Sequence, residues 1–341
     1  MGFPEYFKKW LGVGYDQGPN QLIKLISSQT SCNQLSFNSN QIESIEYFVN
    51  YLSENDYQGL LCSTSQSKCG FEFESNIRRA STLLGLPVIC IEDFPGNYRS
   101  ISGSNTEILV VEGDFSINLY KDKLQLPAYM IVCPSIRYDF LRIRQSNFEE
   151  IRKIRKSVSV LWAGQPEFEV NFSTLKTLIP ALNELSVTLL FKAHPKDPEY
   201  RKGSYEHYFN EAGLRWLDVS DVKIDSCLFD QVDLVITQFS SLAIEAGFYN
   251  VPALNILFED AGEKLLLERT GSLTTNTIHH GASFFINKRW GMLDCLKMAL
   301  NDLNAREKVL LNFSRIYETQ RVQLPKLLQE IKDIIPKVTM K

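Results

Sequence analysis

The chain has 341 residues, 44% of them hydrophobic and 22% charged, with a formal net charge of -4. At about 150 residues per domain it has room for two domains with real cores, and its composition excludes a disordered, collagenous or coiled-coil chain. Lys and Arg total 36 against 40 Asp and Glu, so no nucleic acid partner is expected.

The seven Cys are dispersed without a CxxC pair, and most lie in apolar runs such as Val88-Ile89-Cys90-Ile91. Free buried thiols in a reducing compartment account for them better than a disulfide framework. The start, Met1-Gly2-Phe3-Pro4-Glu5-Tyr6, has no signal-peptide h-region and no myristoylation signal. No apolar run reaches the ~18 residues of a spanning helix. A cytoplasmic protein is expected.

The first punctuation is the glycine-rich Gly12–Gly18, read as a loop before a helix. The stretch ahead of it, Tyr6–Leu11, contains Lys8 and Lys9 and makes a poor strand, so the first sheet is expected to be one strand short or irregular. Then follow a helix over Gln41–Leu52, a strand over Gly59–Cys62, a helix over Glu72–Leu84, and strands over Pro87–Glu92, Glu107–Val111 and Tyr129–Cys133. Asp139–Lys156 is charged and reads as a helical linker. Its Arg and Lys are more consistent with a solvated face than with a phosphate or membrane patch, although peripheral membrane association stays open.

The second half repeats the alternation. Strands are expected over Ser157–Ala163, Val187–Lys192, Leu234–Thr237 and Ala253–Ile256, and helices over Ser173–Leu185, Ser241–Phe248 and Met292–Leu303. Gly271–Gly281 reads as a mobile loop, and its His279-His280 lacks nearby carboxylate or thiol ligands, so no metal is expected. Helices over Glu307–Ile316 and Val322–Ile335 close the chain, with Pro336 as the stop. Alternating strands and helices imply parallel sheets. The expected architecture is α/β: two Rossmann-like domains facing a cleft, residues 1–145 and 146–320, with a terminal helix over 321–341 that packs back on the first.

In open α/β sheets ligands bind beyond the carboxyl ends of strands, so the strand-to-helix junctions matter most. In Phe191-Lys192-Ala193-His194-Pro195 an apolar strand ends in Lys and His-Pro. His194 and Lys192 are candidates to meet a phosphate, against a plain turn with a solvated lysine. In Val235-Ile236-Thr237-Gln238-Phe239-Ser240-Ser241 a buried strand ends and a helix begins at once. Ser240 is a natural N-cap, and first-turn amides with the hydroxyls of Ser240 and Ser241 suit an anion. Glu245 falls one turn on, where it could accept from a ribose; the competing reading is a capping box, whose spacing is one residue shorter. The 46-residue separation of His194 and Ser240 lets them end neighbouring strands and converge on one phosphate.

Lys-Ala-His-Pro, Val-Ser-Asp at 219–221 and Asp-Leu-Val-Ile-Thr-Gln-Phe-Ser-Ser-Leu-Ala-Ile-Glu-Ala together resemble GT-B-type transferases. The resemblance is nearest to polyglycerolphosphate transferases, bacterial sialyltransferases and capsule transferases, and covers about residues 157–260. It implies that His194, Ser240 and Ser241 hold the phosphates of a CDP- or CMP-activated donor, and that Glu245 holds the ribose, as an acidic residue does in UDP-sugar relatives. Gly12–Gly18 resembles the first βα loop of such N-terminal domains, without the GxGxxG spacing.

On this reading Gly164 and Gln165, after the first strand of the second domain, meet the base or phosphate. The first domain supplies the acceptor site through Thr64, Ser65 and Asn97, and Asp93 is the candidate general base, with Glu92 beside it and Asp114 a weaker choice. A turn Asp capping its own loop explains Asp93 equally well. The expected function is metal- and cofactor-independent transfer from a nucleotide-activated donor to a glycan or surface-polysaccharide acceptor. The alternatives are a UDP-sugar epimerase or hydrolase of the same fold, or a non-catalytic binding protein derived from it.

Overall fold

The computed structural model describes residues 6–35, 42–101, 107–121, 127, 129–133, 138, 157–317 and 323–339, so the expected linker over 139–156 lies outside the described residues. The chain divides into two compact units, Met1–Phe140 with Gln320–Lys341, and Leu141–Thr319. Both are α/β with one parallel six-stranded sheet, as the alternation of strands and helices predicts.

Unit 1 begins with β1 (Trp10–Val13), α1 (Gln17–Thr30), β2 (Asn33–Gln34) and α2 (Ile45–Glu54). It continues through β3 (Gly59–Ser63), α3 (Lys68–Leu83), β4 (Val88–Ile91), β5 (Glu107–Val111), α4 (Asp114–Tyr120) and β6 (Tyr129–Val132). The strand order is β2-β1-β3-β4-β5-β6. Successive side chains go to opposite faces: Leu61, Ile89, Ile108 and Val110 join one core, and Leu60, Cys62, Val88, Cys90 and Leu109 join the other.

The first sheet is complete, which corrects the expectation for Tyr6–Leu11. The strand is displaced onto the glycines, leaving Lys8 and Lys9 in the preceding turn. Gly12 lies inside β1, pairing between β2 and β3. At Gly14 a Cβ would stand 2.5 Å from the backbone carbon of Pro19, so the start of α1 packs directly on the strand end.

Unit 2 runs β7 (Ser159–Ala163), α5 (Phe168–Glu184), β8 (Thr188–Lys192), a 3-10 turn at Tyr200–Lys202, α6 (Ser204–Glu211), β9 (Trp216–Asp218) and α7 (Ser226–Phe229). Then come β10 (Leu234–Thr237), α8 (Leu242–Phe248), β11 (Ala253–Ile256), α9 (Gly262–Thr270), α10 (Asn276–His279), β12 (Phe284–Ile286), α11 (Met292–Asn301) and α12 (Leu303–Tyr317). The order is β12-β11-β10-β7-β8-β9. The segment read as a loop over Gly271–Gly281 contains α10, and Ser272, Thr275, Asn276 and Thr277 are buried there.

The last helix, α13 (Gln323–Thr339), belongs to unit 1. Its Leu324, Leu327, Leu328, Ile331 and Ile335 join the core around Leu61 and Ile108. Pro336 lies inside this helix rather than ending it. Near a helix end a proline forfeits few backbone bonds, and the packed apolar stripe outweighs them.

None of the seven cysteines is in a disulfide; Cys69 and Cys227 are exposed and the others buried. Among the described residues no helix is long and apolar enough to cross a membrane.

Candidate functional site

Each sheet reverses its direction of growth beside its founding strand. In unit 2 the chain builds from β7 outward to β8 and β9, then returns to the other side of β7 for β10, β11 and β12. The point between β7 and β10 is a topological switch point, the place past the strand ends where open α/β sheets bind their ligands. Gly164 and Gln165 follow β7 there, and Ser240 and Ser241 follow β10.

Side-chain and backbone bonds brace these ends. Gly164 N–H donates to Lys192 O at 3.1 Å, and the Thr237 hydroxyl donates to Ala163 O at 2.7 Å while accepting from Ser240 N–H at 3.2 Å. The Ser240 hydroxyl accepts from Leu242 N–H at 3.3 Å, while Ser241 occupies the cap position of α8 without a side-chain cap bond. Both serines are half-buried.

His194 stands just past β8, half-buried. Its Nδ1 accepts from Lys196 N–H at 3.1 Å. Burial, with the charges of Lys196 and Arg269, lowers its pKa, so the ring is neutral at pH 7. A neutral ring whose Nδ1 accepts must carry its proton on Nε2, which leaves Nε2–H as the donor. The loop carrying it is fixed from below. The buried Asp197 carboxylate takes the Tyr205 hydroxyl at 2.5 Å and Asn171 Nδ2 at 3.2 Å, and Asn171 also clasps the Gln165 backbone through both N–H and C=O. One asparagine thus locks the loops after β7 and β8 together. Gln165 is buried, and its Nε2 has no hydrogen-bond partner among the described residues.

Lys192 is placed differently from a phosphate ligand. Its ammonium donates to the carbonyls of Val219, Ser220 and Val222 at 3.2, 2.9 and 2.8 Å, which accounts for its three N–H donors. Burial lowers its pKa, opposed by Asp221, Asp218 and Glu245. It ties the Val-Ser-Asp stretch to β8, helped by the Ser220 hydroxyl accepting from Ala193 N–H at 3.0 Å. The structure also corrects the neighbour relation of His194 and Ser240. β7 intervenes between β8 and β10, so their strand ends lie two spacings, about 10 Å, apart.

In unit 1 the switch point lies between β1 and β3. Asp16 accepts from the N–H groups of Gln66 and Ser67, both at 2.9 Å, and from the Ser67 hydroxyl at 2.7 Å. Glu74 accepts from Ser65 N–H at 2.7 Å and its hydroxyl at 2.5 Å. Thr64 Oγ1 accepts from Asp93 N–H at 2.8 Å, and Asn97 Nδ2 donates to Thr64 O at 2.9 Å. Thr64 and Asn97 are buried and cross-link the loops after β3 and β4, and the buried Ser65 ties the β3 loop to α3 and to Asp16, with Asp93 half-buried beside them. Glu92 is buried and holds its own loop, accepting from Gly96 N–H at 2.7 Å and from the Tyr120 hydroxyl. Asp114 begins α4. Asp16 and Glu74, which organise this edge, were not singled out in the sequence; the partners of Asp16 lie about fifty residues away, so it has no local signature.

Burial pushes the Glu74 carboxyl up to about 8 and that of Glu92 up to about 7. The folded chain keeps protons that the unfolded chain releases near pH 4.3, so their contribution is complete below that pH and is lost as pH rises towards 8. The melting temperature is expected to fall by several degrees between pH 5 and 8, since about 1 kcal/mol moves it by about 2–4 °C in a unit of this size. Glu74→Gln should flatten that slope in a calorimetric series. A variant that tracks the wild type at every pH would refute the assignment.

No family model matches the sequence, and a search of curated proteins returns no relative. Solved structures do match. HepE from Anabaena, in complex with UDP and glucose, is 14% identical over 96% of this chain and 98% of that one, with a TM-score of 0.62. A putative UDP-N-acetylglucosamine 2-epimerase from Listeria monocytogenes is 12% identical over 91% and 86%, with a TM-score of 0.60. The wall teichoic acid polymerase TagF with CDPG is 15% identical over 98% and 89%, with a TM-score of 0.52. The likeness at these identities is one of fold, and the fold is of the GT-B type.

Proposed function

We propose that the chain is a GT-B-type transferase whose unit 2 holds a nucleotide-activated donor past the ends of β8, β7 and β10. The observation that carries this reading is the switch point itself. There Ser240 and Ser241 meet the braced loop of Gly164 and Gln165, and His194 Nε2–H is offered one strand further on. A span of about 10 Å suits the phosphates and ribose of a nucleotide better than a single phosphate. His194 and the hydroxyls would stabilise charge on the departing phosphate, with no metal required for that task. Glu245 takes the ribose, and Lys192 shapes the rim. The acceptor is a glycan or surface polysaccharide, with Asp93 of unit 1 the base that takes its proton.

A thermal-shift series with CMP, CDP, UDP, GDP and their sugar conjugates tests this. A ligand that binds only the folded state raises the melting temperature by mass action. One nucleotide class should stabilise the wild type and leave the His194→Ala/Ser240→Ala variant unmoved. Absence of any shift at millimolar ligand would instead support a non-catalytic binding protein. Turnover of a bound UDP-sugar without an acceptor would point to the epimerase or hydrolase.

A further inference from the structure

Arg269 lies in the last turn of α9, outside every motif discussed above, yet its side chain reaches the site loops. Its Nη2 donates to Glu167 Oε1, immediately before α5 in the connection from β7. Its guanidinium lies 5.6 Å from the centroid of Phe239, the residue before Ser240. It is also close enough to His194 to help lower that ring's pKa. One guanidinium therefore serves the connections that follow β7, β8 and β10.

The pairing with Glu167 is a poor candidate for a structural staple. The two side chains keep 24% and 36% of their exposure, and ion pairs this open contribute little to folding. Glu167 is only partly satisfied, because its Oε2 is buried without a hydrogen-bond partner among the described residues. A carboxylate with one oxygen engaged and one orphaned is a replaceable partner for a planar, five-donor guanidinium. Phosphate oxygens match that fork as well as a carboxylate does. Phe239 beneath the guanidinium restrains it during an exchange of anions.

We propose that Arg269 is the fixed cation of the donor phosphate site, and that Glu167 occupies it as a place-holder until a nucleotide phosphate displaces it. This inference rests on the reading of unit 2 as a nucleotide-donor site. It adds a residue that selects phosphorylated nucleotides over nucleosides, and an internal competitor that sets their affinity. Displaced from Arg269, Glu167 can turn towards solvent at little cost, since its side chain is already partly exposed.

The experiment is calorimetric titration of the full chain with UDP, CDP and inorganic pyrophosphate, with the ligand-free melting temperature recorded for each variant. Arg269→Met should weaken the bound nucleotide by about 10–100-fold, the range for a hydrogen bond to a charged group. Arg269→Lys, which keeps the charge and loses the fork, should fall between the two and covers the case in which the methionine variant folds poorly. Glu167→Gln should tighten binding two- to about fivefold, the most a half-exposed pair would withhold. If Glu167→Gln leaves affinity unchanged or weaker, or either Arg269 variant binds like the wild type, while His194→Ala still loses the nucleotide, the place-holder proposal is wrong and the donor site stands. If His194→Ala also binds like the wild type, or the wild type takes neither these three probes nor CMP, GDP or any nucleotide-sugar conjugate, the donor reading itself is lost and this inference goes with it.

Discussion

Arg78→Met is expected to destabilise unit 1 by about 3–5 kcal/mol, the cost of removing one partner from a buried ion pair. Arg78 on α3 and Glu107 at the start of β5 keep 3% and 0% side-chain exposure. The guanidinium grips both carboxylate oxygens, at 2.5 and 2.9 Å, and gives two further bonds of 3.1 Å to Arg99 O. The Tyr98 hydroxyl donates to the same carboxylate, and the Tyr98 ring lies 5.1 Å beneath the guanidinium. The cluster thereby ties the segment after β4, which carries Asp93 and Asn97, to the body of the sheet. Methionine would leave Glu107 charged or forced to protonate in an apolar setting. Urea unfolding followed by hydrogen exchange at β3, β4 and β5 measures the effect, and Arg78→Met/Glu107→Leu should recover most of it, since well-packed apolar replacements of buried pairs are often neutral. A loss below about 1 kcal/mol would mean that the pair is screened in solution.

For the proposed donor site, His194→Ala is expected to carry the second large effect, on binding rather than folding. A neutral Nε2–H given to a phosphate oxygen is a hydrogen bond to a charged group, so its removal should weaken a bound nucleotide by about 10–100-fold. The melting temperature without ligand should change little, because the substitution orphans only Lys196 N–H in an exposed turn. The pH profile is the sharper readout. The ring pKa is lowered in the folded state, so the donor is present and unchanged from pH 7 to 8.5, and wild-type affinity should be flat there. Affinity that climbs as pH drops from 8.5 to 7, with a proton taken up on binding, would show that the imidazolium is the ligand form and overturn this assignment.

Much of the fold is legible in the sequence. The four-residue runs Val88–Ile91, Leu234–Thr237 and Ala253–Ile256 are apolar at every position or nearly so, because helices cover both faces of their sheets. The residue types past the strand ends, His-Pro after β8 and Ser-Ser after β10, mark those junctions as polar loops between a buried strand and a helix, where turn and cap chemistry competes with ligand binding. Short strands at the margins escaped notice. β2, β9 and β12 span two or three residues, too few for a period. β1 is disguised by Gly12 and by the lysines before it.

Composition and periodicity by themselves determined that this is a two-unit parallel α/β protein and which junctions carry polar, ligand-type residues, because burial of apolar faces is written locally along the chain. Only the tertiary structure decided what those residues are bonded to. It inserts β7 between β8 and β10, turns Lys192 from a ligand into a clasp on three carbonyls, and buries Thr64, Ser65 and Asn97 as cross-links. It also brings Asp16 to the loop after β3, Asn171 to the loop after β8 and Arg269 to the connection after β7, each far from it in sequence. Hydrogen bonds and ion pairs depend on distances of about 3 Å between groups tens of residues apart, and sheet order, which no local pattern encodes, sets those distances.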